Sequence, residues 1–410
     1  MFQRARRLVV ASLQNIILYE YLPTLLGDDA KVSKYSGYKP DERASNNTDA
    51  KPDDKVSVYT GYKPDVHPGV SHVFQSAAFR FGHTLIPPGL FRRDANCNFK
   101  MTKTGKPGIR LCSSWWRADE ILPELGVEDL LMGLSSQIAE REDSILCSDV
   151  RDKLFGPQDF SRRDLAALNI MRGRDNGLPD YNTVRKAFGL PVITKWSEIN
   201  PELYAMQPEI FNRLREAYGN KSLDDIDVYV AGMLEARLLE GRPGPLFRRI
   251  IKEQFERIRD SDRFWFENTA NEIFTPEEVK AIRDITFWDI LVNATKIPPS
   301  AIQRDVFRFK PDDPCPQPHQ LNSTQLDPCN ILTGQTYFHG SEVPYVLVCT
   351  LLCFIPIGEF PLNVYANIQF AFSRATGFFA TNVQFEICYV LIKLDSLVSS
   401  VSIDKRTFQM

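Results

Sequence analysis

FQSAAFRFGHTLIPPGLFRRD, residues 74–94, is an apolar stretch that contains one histidine with a cation one turn away. The spacing predicts a helix over 70–84, on which Arg80 and His83, three positions apart, share a face. Gly82 has no side chain, so a planar ligand could approach that face. The alternative is a histidine that only fills a core or surface position, and this segment alone favours the alternative.

A second stretch, DLAALNIMRGRDNGLPDYN at 164–182, has a similar pattern. Asn169 and Arg172 share a helical face, and Arg172 and Arg174 offer planar guanidinium donors that suit carboxylates. The alternative is an arginine-rich helix end that is neutralised by Asp175 and Asp180. Taken alone, the segment favours that alternative.

Helical periodicity recurs between residues 70 and 310 with short Pro/Gly punctuation, whereas strand-like alternation is scarce. The pattern predicts helices at 70–84, 128–142, 163–173, 180–188, 201–218, 245–259, 276–284 and 286–293. The predicted fold class is therefore mainly α, with long ordered loops between the helices.

The chain begins with a predicted amphipathic helix, because apolar residues recur at helical spacing over 4–25 until Pro23 ends the run. No convincing small-residue cleavage site follows, so we interpret the run as a helix and not as a signal peptide. A short repeat comes next, KVSKYSGYKPD at 31–41 and KVSVYTGYKPD at 55–65. Two short copies cannot stack into a solenoid, and they indicate a duplicated surface loop.

Composition bounds the class of protein. The 410 residues are 43% apolar, enough for a sizeable core, and the net charge of −3 with interspersed signs gives no reason to expect nucleic acid.

Cys97 with Cys112 and Cys315 with Cys329 flank polar loops, and such local bridges would each contribute roughly 3 kcal/mol. The alternative is reduced cysteines in a cytosolic protein. Glycosylation sequons favour an oxidising, secreted or lumenal compartment, and they lie at Asn46, Asn220, Asn293 and Asn322.

The composition changes beyond residue 310. Residues 311–342 form a linker rich in Pro with two cysteines, which predicts a domain boundary. The run VPYVLVCTLLCFIPIG at 343–358 has 16 uncharged residues, somewhat short of the ~20 that span a bilayer. It predicts a transmembrane helix, with a buried apolar segment as the alternative. The tail, 359–410, has no recognisable pattern.

Two motifs taken together, AAFRFGHTLIP at 77–87 and ALNIMRGRDNGLPDYN at 167–182, resemble the animal haem peroxidase superfamily. There, one helix supplies a proximal histidine and a later helix supplies an asparagine that holds it. Residues 235–268 resemble the same superfamily. Further stretches are similar to the peroxidase-like domain of dual oxidases, at 6–27, 130–152, 189–203 and 313–318. The resemblance covers roughly 4–357 and implies a peroxidase-like helical domain over 1–310.

The resemblance implies haem b as the cofactor, with its iron bound axially by His83. Asn169 would accept a hydrogen bond from the other ring nitrogen, which fixes the tautomer and strengthens the imidazole as a ligand. Arg80 and Arg172 would bind the haem propionates through charge-assisted hydrogen bonds. Some dual oxidase peroxidase-like domains lack the proximal histidine, so the presence of His83 favours the haem-binding members.

No catalytic residue of the distal side can be assigned. In the family, the distal histidine and arginine, the calcium loop and the residues esterified to haem precede the segment with which this chain begins. We therefore expect a C-terminal part of the domain that lacks the calcium site and cleaves peroxide poorly, because the acid–base and electrostatic help is missing. We also expect marginal stability, since one side of an apolar slot would be open. The sequence has no dinucleotide-binding fingerprint.

Two functions follow from the resemblance. The first is a haem peroxidase of a dual oxidase-like membrane protein, on the extracellular or lumenal side, that uses hydrogen peroxide to oxidise phenolic or tyrosine donors. Matrix crosslinking and the response to oxidative stress are the roles expected of it. The second is a catalytically dead peroxidase-homology ectodomain that serves assembly or regulation of a membrane NADPH oxidase with a maturation-factor partner.

Overall fold

The computed structural model describes residues 2–27, 56–115, 126–141, 143–157, 162–219, 222–237, 242–308, 310, 313–316 and 320–329. The chain forms two units, one of Arg6–Asn330 and another of Met1–Ala5 with Ile331–Met410. The predicted transmembrane run at 343–358 and the tail at 359–410 lie outside the described residues, as does the first copy of the repeat.

The described residues are mainly helical, as the sequence predicts. The α-helices are α1 (Phe2–Ile16), α2 (Leu22–Leu26), α3 (His72–Ser76), α4 (Val127–Ser135), α5 (Ser148–Arg151), α6 (Leu165–Asp175), α7 (Tyr181–Ala187), α8 (Trp196–Ile199), α9 (Pro201–Met206), α10 (Pro208–Ala217), α11 (Val228–Leu234), α12 (Pro245–Ser261), α13 (Pro276–Arg283) and α14 (Phe287–Ala294). Short 3₁₀ helices lie at Ala78–Leu85, Leu223–Asp225, Thr269–Asn271 and Ser323–Gln325. Strands β1 (Gly89–Leu90) and β2 (Ile109–Arg110) pair antiparallel.

Side-chain caps fix the starts of several helices. Asp164 and Asp180 each accept a backbone N–H from the first turn of α6 and α7, respectively. Thr275 and Glu278 form a capping box at the start of α13. Such caps satisfy amide groups that a first turn leaves without a helical partner, and each is worth about 1 kcal/mol. The sequence therefore specifies these boundaries locally, close to where periodicity predicts them.

The first helix is longer than predicted. α1 passes through a π-helical turn, Ile17–Tyr21, into α2, so the prediction that Pro23 ends the run is wrong. A wider π turn accommodates a proline, which lacks an N–H and crowds the carbonyl four residues before it. Among the described residues, the 25-residue helix Phe2–Leu26 alone is long and apolar enough to cross a membrane, yet half of its most apolar window is buried inside the protein.

The main apolar core lies where α2, α7, α11 and α12 meet. Leu22, Tyr181, Phe247 and Ile250 are among its fully buried members. Gly232 of α11 permits the close contact with α12, because a Cβ there would come within 2.3 Å of the Phe247 ring. Each large apolar side chain buried in this way stabilises the fold by roughly 1.5–3 kcal/mol. This packing fixes α11 against the rest of the helical domain.

A second, smaller assembly surrounds β1 and β2. Phe91, Leu321 and Leu326 form its apolar core, with Phe99 packed against them. We call this assembly the disulfide lobe and define it as the described residues 89–115, 313–316 and 320–329. Part of the segment predicted as a linker thus packs against the hairpin.

The predicted local disulfides are wrong in their pairing, although the expectation of disulfides is confirmed. Cys97 is bonded to Cys315 and Cys112 to Cys329, with Cα–Cα distances of 5.5 and 5.9 Å. Spacing along the chain indicates only which loop a bridge would close. Packing of the later segment against the hairpin instead decides which cysteines come within bonding distance.

A buried ion pair ties the disulfide lobe to α5. The Arg110 guanidinium donates twice to the Asp149 carboxylate, with both N···O distances 2.7 Å. The backbone N–H of Cys112 donates to the same carboxylate at 3.0 Å. Asp149 is completely buried and Arg110 nearly so. A charge pair without access to water holds its geometry only when its remaining lone pairs are also satisfied, and here they are.

Candidate functional site

The segment with the sequence-predicted histidine forms a 3₁₀ helix, Ala78–Leu85, preceded by the short helix α3. The prediction of one continuous helix over 70–84 is therefore wrong in detail. A 3₁₀ helix has three residues per turn, so Arg80 and His83 still lie on one face. A Cβ placed on Gly82 would meet no atom within 4 Å, which leaves open space beside His83.

The structure brings His83 and Asn169 together across 86 positions of sequence. The Nδ2 atom of Asn169 lies 3.0 Å from Nδ1 of His83. The same Nδ2 donates to the hydroxyl of Tyr229 at 2.9 Å, and Oδ1 of Asn169 accepts from Nη1 of Arg80 at 2.9 Å. Asn169 is completely buried and is the centre of a four-residue cluster.

The direction of the hydrogen bond differs from the expectation that Asn169 accepts from the histidine. Because the amide nitrogen faces the ring and can only donate, Nδ1 of His83 is the acceptor and its hydrogen resides on Nε2. The physical reason is Arg80, which has no acceptor of its own and occupies the amide oxygen. Within the described part of the chain, Nε2 makes no hydrogen bond.

Electrostatics keep the histidine neutral. Burial, followed by the nearby Arg80 guanidinium, lowers the pKa of His83 to about 4. Burial and the neighbouring Arg172 also lower the pKa of Arg80. Arg172 is exposed on α6. Two cations thus lie near each other beside a neutral imidazole, an arrangement that favours an anionic ligand.

Tyr229 is the member of the cluster that the sequence did not predict. It lies on α11, is 5% exposed, and accepts the second hydrogen bond of the Asn169 amide. Burial raises its pKa, so its hydroxyl stays protonated. The available signal was a tyrosine inside the apolar run VYVAGML, because a buried tyrosine hydroxyl needs a hydrogen-bond partner.

A buried polar network positions α11 behind the cluster. The Glu235 carboxylate, directly after α11, accepts from the Tyr181 hydroxyl at 2.8 Å and from the backbone N–H of Leu246 at 2.7 Å. Arg185 donates to the same carboxylate. Burial raises the pKa of Glu235, and Arg185 opposes that rise. The network connects α7, α11 and the start of α12.

An ion pair fixes the other end of α11. Arg174 of α6 donates to both carboxylate oxygens of Asp227, with N···O distances of 3.0 and 2.6 Å. This aspartate directly precedes α11. The partner of Arg174 is therefore more than 50 residues away along the chain. Asp175 and Asp180, the partners that the alternative gave to this helix end, do not form this bidentate pair.

Of the remaining histidines, two are described and neither belongs to the cluster. His67 accepts the backbone N–H of Gly69 at 3.0 Å, and His72 is an exposed first residue of α3. His319 and His339 lie outside the described residues. Among the described histidines, His83 is thus the one that lies in the cluster with Arg80, Asn169 and Tyr229.

Comparison with known proteins gives consistent matches. Residues 1–307 match the family model described as animal haem peroxidase. The chain is 56% identical over 356 residues to a dual oxidase of Drosophila melanogaster, covering 87% of this chain and 21% of that protein. It is 39% identical over 363 residues to dual oxidase 1 of Homo sapiens, covering 86% and 21%.

Among solved structures, peroxidase A from Dictyostelium discoideum superimposes with a TM-score of 0.59 at 31% sequence identity. The match covers 75% of this chain and 51% of that one. The chain spans about a fifth of the length of the dual oxidases that it matches.

Proposed function

The chain belongs to the animal haem peroxidase family, and from that premise we propose that it forms the proximal side of a haem site in a dual oxidase-like peroxidase. The proposed reaction uses hydrogen peroxide to oxidise phenolic or tyrosine donors. The observation that carries the proposal is the cluster of His83 with Asn169, Arg80 and Tyr229.

His83 is the proposed axial ligand. An iron ligand must offer a ring lone pair, and a histidine whose pKa is about 4 is neutral at physiological pH. Haem, when bound, supplies the redox-active iron that peroxide oxidises. The protein holds the imidazole at a fixed orientation, because Asn169 is itself held by two further side chains.

In this proposal, Arg80 links the binding of a carboxylate to which ring nitrogen of His83 carries the hydrogen. A propionate carboxylate placed between Arg80 and Arg172 would satisfy both guanidinium groups. Arg80 would then release Oδ1 of Asn169, and the amide could turn so that Oδ1 accepts a hydrogen from Nδ1 of His83. That exchange moves the ring hydrogen to Nδ1, frees the Nε2 lone pair for a metal and strengthens the imidazole as a donor.

A haem titration followed by absorbance tests the proposal. We expect a saturable Soret shift in the wild type and its loss in His83→Ala, because the axial ligand is removed. His72→Ala is the matched control, since His72 is exposed and eleven positions away, and it should titrate like the wild type. A Soret shift that persists unchanged in His83→Ala would refute axial ligation by His83.

A second candidate function is a catalytically dead ectodomain that assists a membrane NADPH oxidase and its maturation factor. The observation in its favour is that the Asn169 amide uses both its oxygen and its nitrogen in bonds within the protein, to Arg80, His83 and Tyr229. An absence of haem binding in both the wild type and His83→Ala would support it. Under either function, the two long-range disulfides favour placement on the extracellular or lumenal side of a membrane.

A further inference from the structure

The second copy of the repeat is docked on the C-terminal end of α12. Its Val56 is 3% exposed and belongs to the main core. The backbone N–H of Ser57 donates to Glu256, and Arg259 donates to the Ser57 carbonyl and, at 3.0 Å, to its hydroxyl. This end of the copy is therefore held by both apolar burial and hydrogen bonds.

The rest of the copy continues along the same surface. Tyr59 packs against Trp265 with ring centroids 6.3 Å apart and lies under the Arg259 guanidinium. Lys63 binds Asp260 twice, through its N–H to the carbonyl at 2.7 Å and through its ammonium to Oδ2 at 2.6 Å. Gly61 has a φ of 116°, which side chains disfavour. We call the surface formed by Glu256, Arg259, Asp260 and Trp265 the repeat-docking surface.

The first copy of the repeat has the same residue at each of these docking positions. Its equivalents, each 24 positions earlier, are Val32, Ser33, Tyr35, Gly37 and Lys39. Over the eleven residues, the copies differ only where Lys34 replaces Val58 and Ser36 replaces Thr60. Val58 is 74% exposed and Thr60 is also exposed. The differences therefore fall where the docked copy faces solvent.

We propose that the repeat-docking surface binds either copy of the repeat within one chain, so that the chain has two registers related by a slip of 24 residues. One copy occupies the surface and the other is displaced. The partner of the surface is thus a peptide of the pattern K-V-S-x-Y-x-G-Y-K-P-D, and the chain carries two such peptides for one site.

The first copy can reach the surface from the end of α2. The Leu26 carbonyl accepts from Arg248 at 2.7 Å, which places it beside α12. Arg248 precedes Glu256 by eight helical residues, or about 12 Å along the axis. The six-residue step from Leu26 to Val32 can span about 20 Å when extended. The tether is therefore long enough.

The two registers should have similar free energies. When the second copy is docked, the extra chain is looped out before it, and when the first copy is docked, the extra chain is looped out after it. The cost of closing a loop depends only on the logarithm of its length, so moving the same 24 residues changes it little. The contacts are made by identical residues, and Lys39 can replace Lys63 opposite Asp260. We expect the two populations to lie within about tenfold of each other.

Zero-length carbodiimide coupling, which joins a lysine amine to a carboxylate in contact with it, tests the proposal on the full chain. Peptide mapping by mass spectrometry should show both a Lys63–Asp260 and a Lys39–Asp260 product. In Lys63→Arg, which keeps the charge but cannot couple, the Lys39 product should persist. Adding Tyr35→Ala should reduce it severalfold, whereas Lys34→Ala, the solvent-facing control, should not.

Three outcomes would overturn the proposal. The first is a Lys63–Asp260 product in the wild type with no Lys39 product there or in Lys63→Arg. The second is a Lys39–Asp260 product that joins heavy to light chains in an isotope-mixed sample, because docking would then occur between two copies of the chain. The third concerns the midpoint of urea unfolding. The proposal predicts that Tyr35→Ala and Tyr59→Ala each lower the midpoint slightly and that their combination lowers it by more than the sum. A combined effect equal to the sum would overturn it.

Discussion

The helical region around Asn169 and the disulfide lobe both bury polar groups, but they hold them by different means. Around Asn169 the groups are a neutral amide, a neutral imidazole and a phenol, with the buried Arg185–Glu235 pair behind them, and a large apolar core fixes the helices that carry them. The disulfide lobe has a core of three buried apolar residues, a buried Arg–Asp pair and two bridges.

Core size explains the difference. A few apolar side chains cannot offset the conformational entropy of ordering a lobe of this length, so the covalent bridges must supply the rest. Arg93 is a further polar side chain buried in the lobe. It is completely buried and donates to Ser136, Ser135 and the Ala301 carbonyl. The lobe should therefore be sensitive to redox conditions and to loss of a charge partner, and the helical region to pH.

The largest expected effect is removal of both bridges with Cys97→Ser and Cys112→Ser. The bridges join the same two segments, so the first closes a loop of 218 residues, and the second then closes only a small ring made of residues 97–112 and 315–329. Loop entropy gives about 5 kcal/mol for the first closure and about 3–4 kcal/mol for a ring of roughly 30 residues.

Either single variant should therefore lose about 3–4 kcal/mol and the double variant about 9 kcal/mol, a loss comparable to the whole stability of a domain, so the double variant should be largely unfolded before urea is added. Urea unfolding of the three variants measures this. A double variant that loses no more than one single variant would show that the bridges do not stabilise the lobe in this way, and the contrast with the helical region would disappear.

A smaller effect is expected from Asp149→Ala. The change leaves the Arg110 guanidinium buried with two of its three hydrogen bonds lost, which typically costs about 3–5 kcal/mol. Asp152→Ala is the matched control, because Asp152 pairs with Arg151 where both side chains are 48% exposed, and exposed pairs are worth below about 1 kcal/mol. Equal losses in the two variants would contradict a special role for burial at Asp149.

The smallest of the three effects is the pH dependence that His83 gives to the free energy of unfolding, and it tests the helical side of the comparison with the disulfide lobe. Its pKa is about 4 in the folded chain, against a usual value of 6.5, so the unfolded chain binds more protons between these values. Stability from this residue is complete above pH 6.5 and is lost as pH falls to 4, by about 3 kcal/mol in all. Unfolding free energies of wild type and His83→Gln across this range give the contribution as their difference.

A comparison with the variant is needed because Glu20 acts in the opposite direction. Burial raises its pKa from 4.5 to about 7, so the folded chain holds a proton that the unfolded chain releases, and stability falls as pH rises from 4.5 to 7. The two contributions partly cancel in the wild type. A wild type and a His83→Gln variant with parallel pH profiles would contradict the low pKa of His83.

The sequence predicts features that are set locally and misses features that are set by packing between distant segments. Helices such as α6, α7 and α12 follow from apolar spacing and local caps, and the sequence predicts them within a few residues. The short helices α5 and α8 are each one turn long, too short for periodicity to register. The bridges escaped prediction because their partners are more than 200 residues apart and meet only through packing.

The candidate site shows the same division. Arg80 with His83, and Asn169 with Arg172, were predicted as pairs on local faces, and the family resemblance was needed to connect the two faces. Tyr229 and the direction of the Asn169 amide could not be predicted. Both depend on which hydrogen-bond donors surround one buried oxygen, which is a property of the folded site and not of any single segment.

The π turn at Ile17–Tyr21 adds one residue to what would otherwise be a regular helix. Each residue turns an α-helix by about 100°, so the faces of α1 and α2 are out of phase, and one helical wheel drawn through both assigns the wrong side to one of them. Asn15, whose amide donates to the Ile285 carbonyl at 2.9 Å, lies before the turn, on the face of α1. An alignment with a chain that has a regular helix here therefore needs a one-residue gap inside 17–21, and a gap placed elsewhere would pair buried positions with exposed ones.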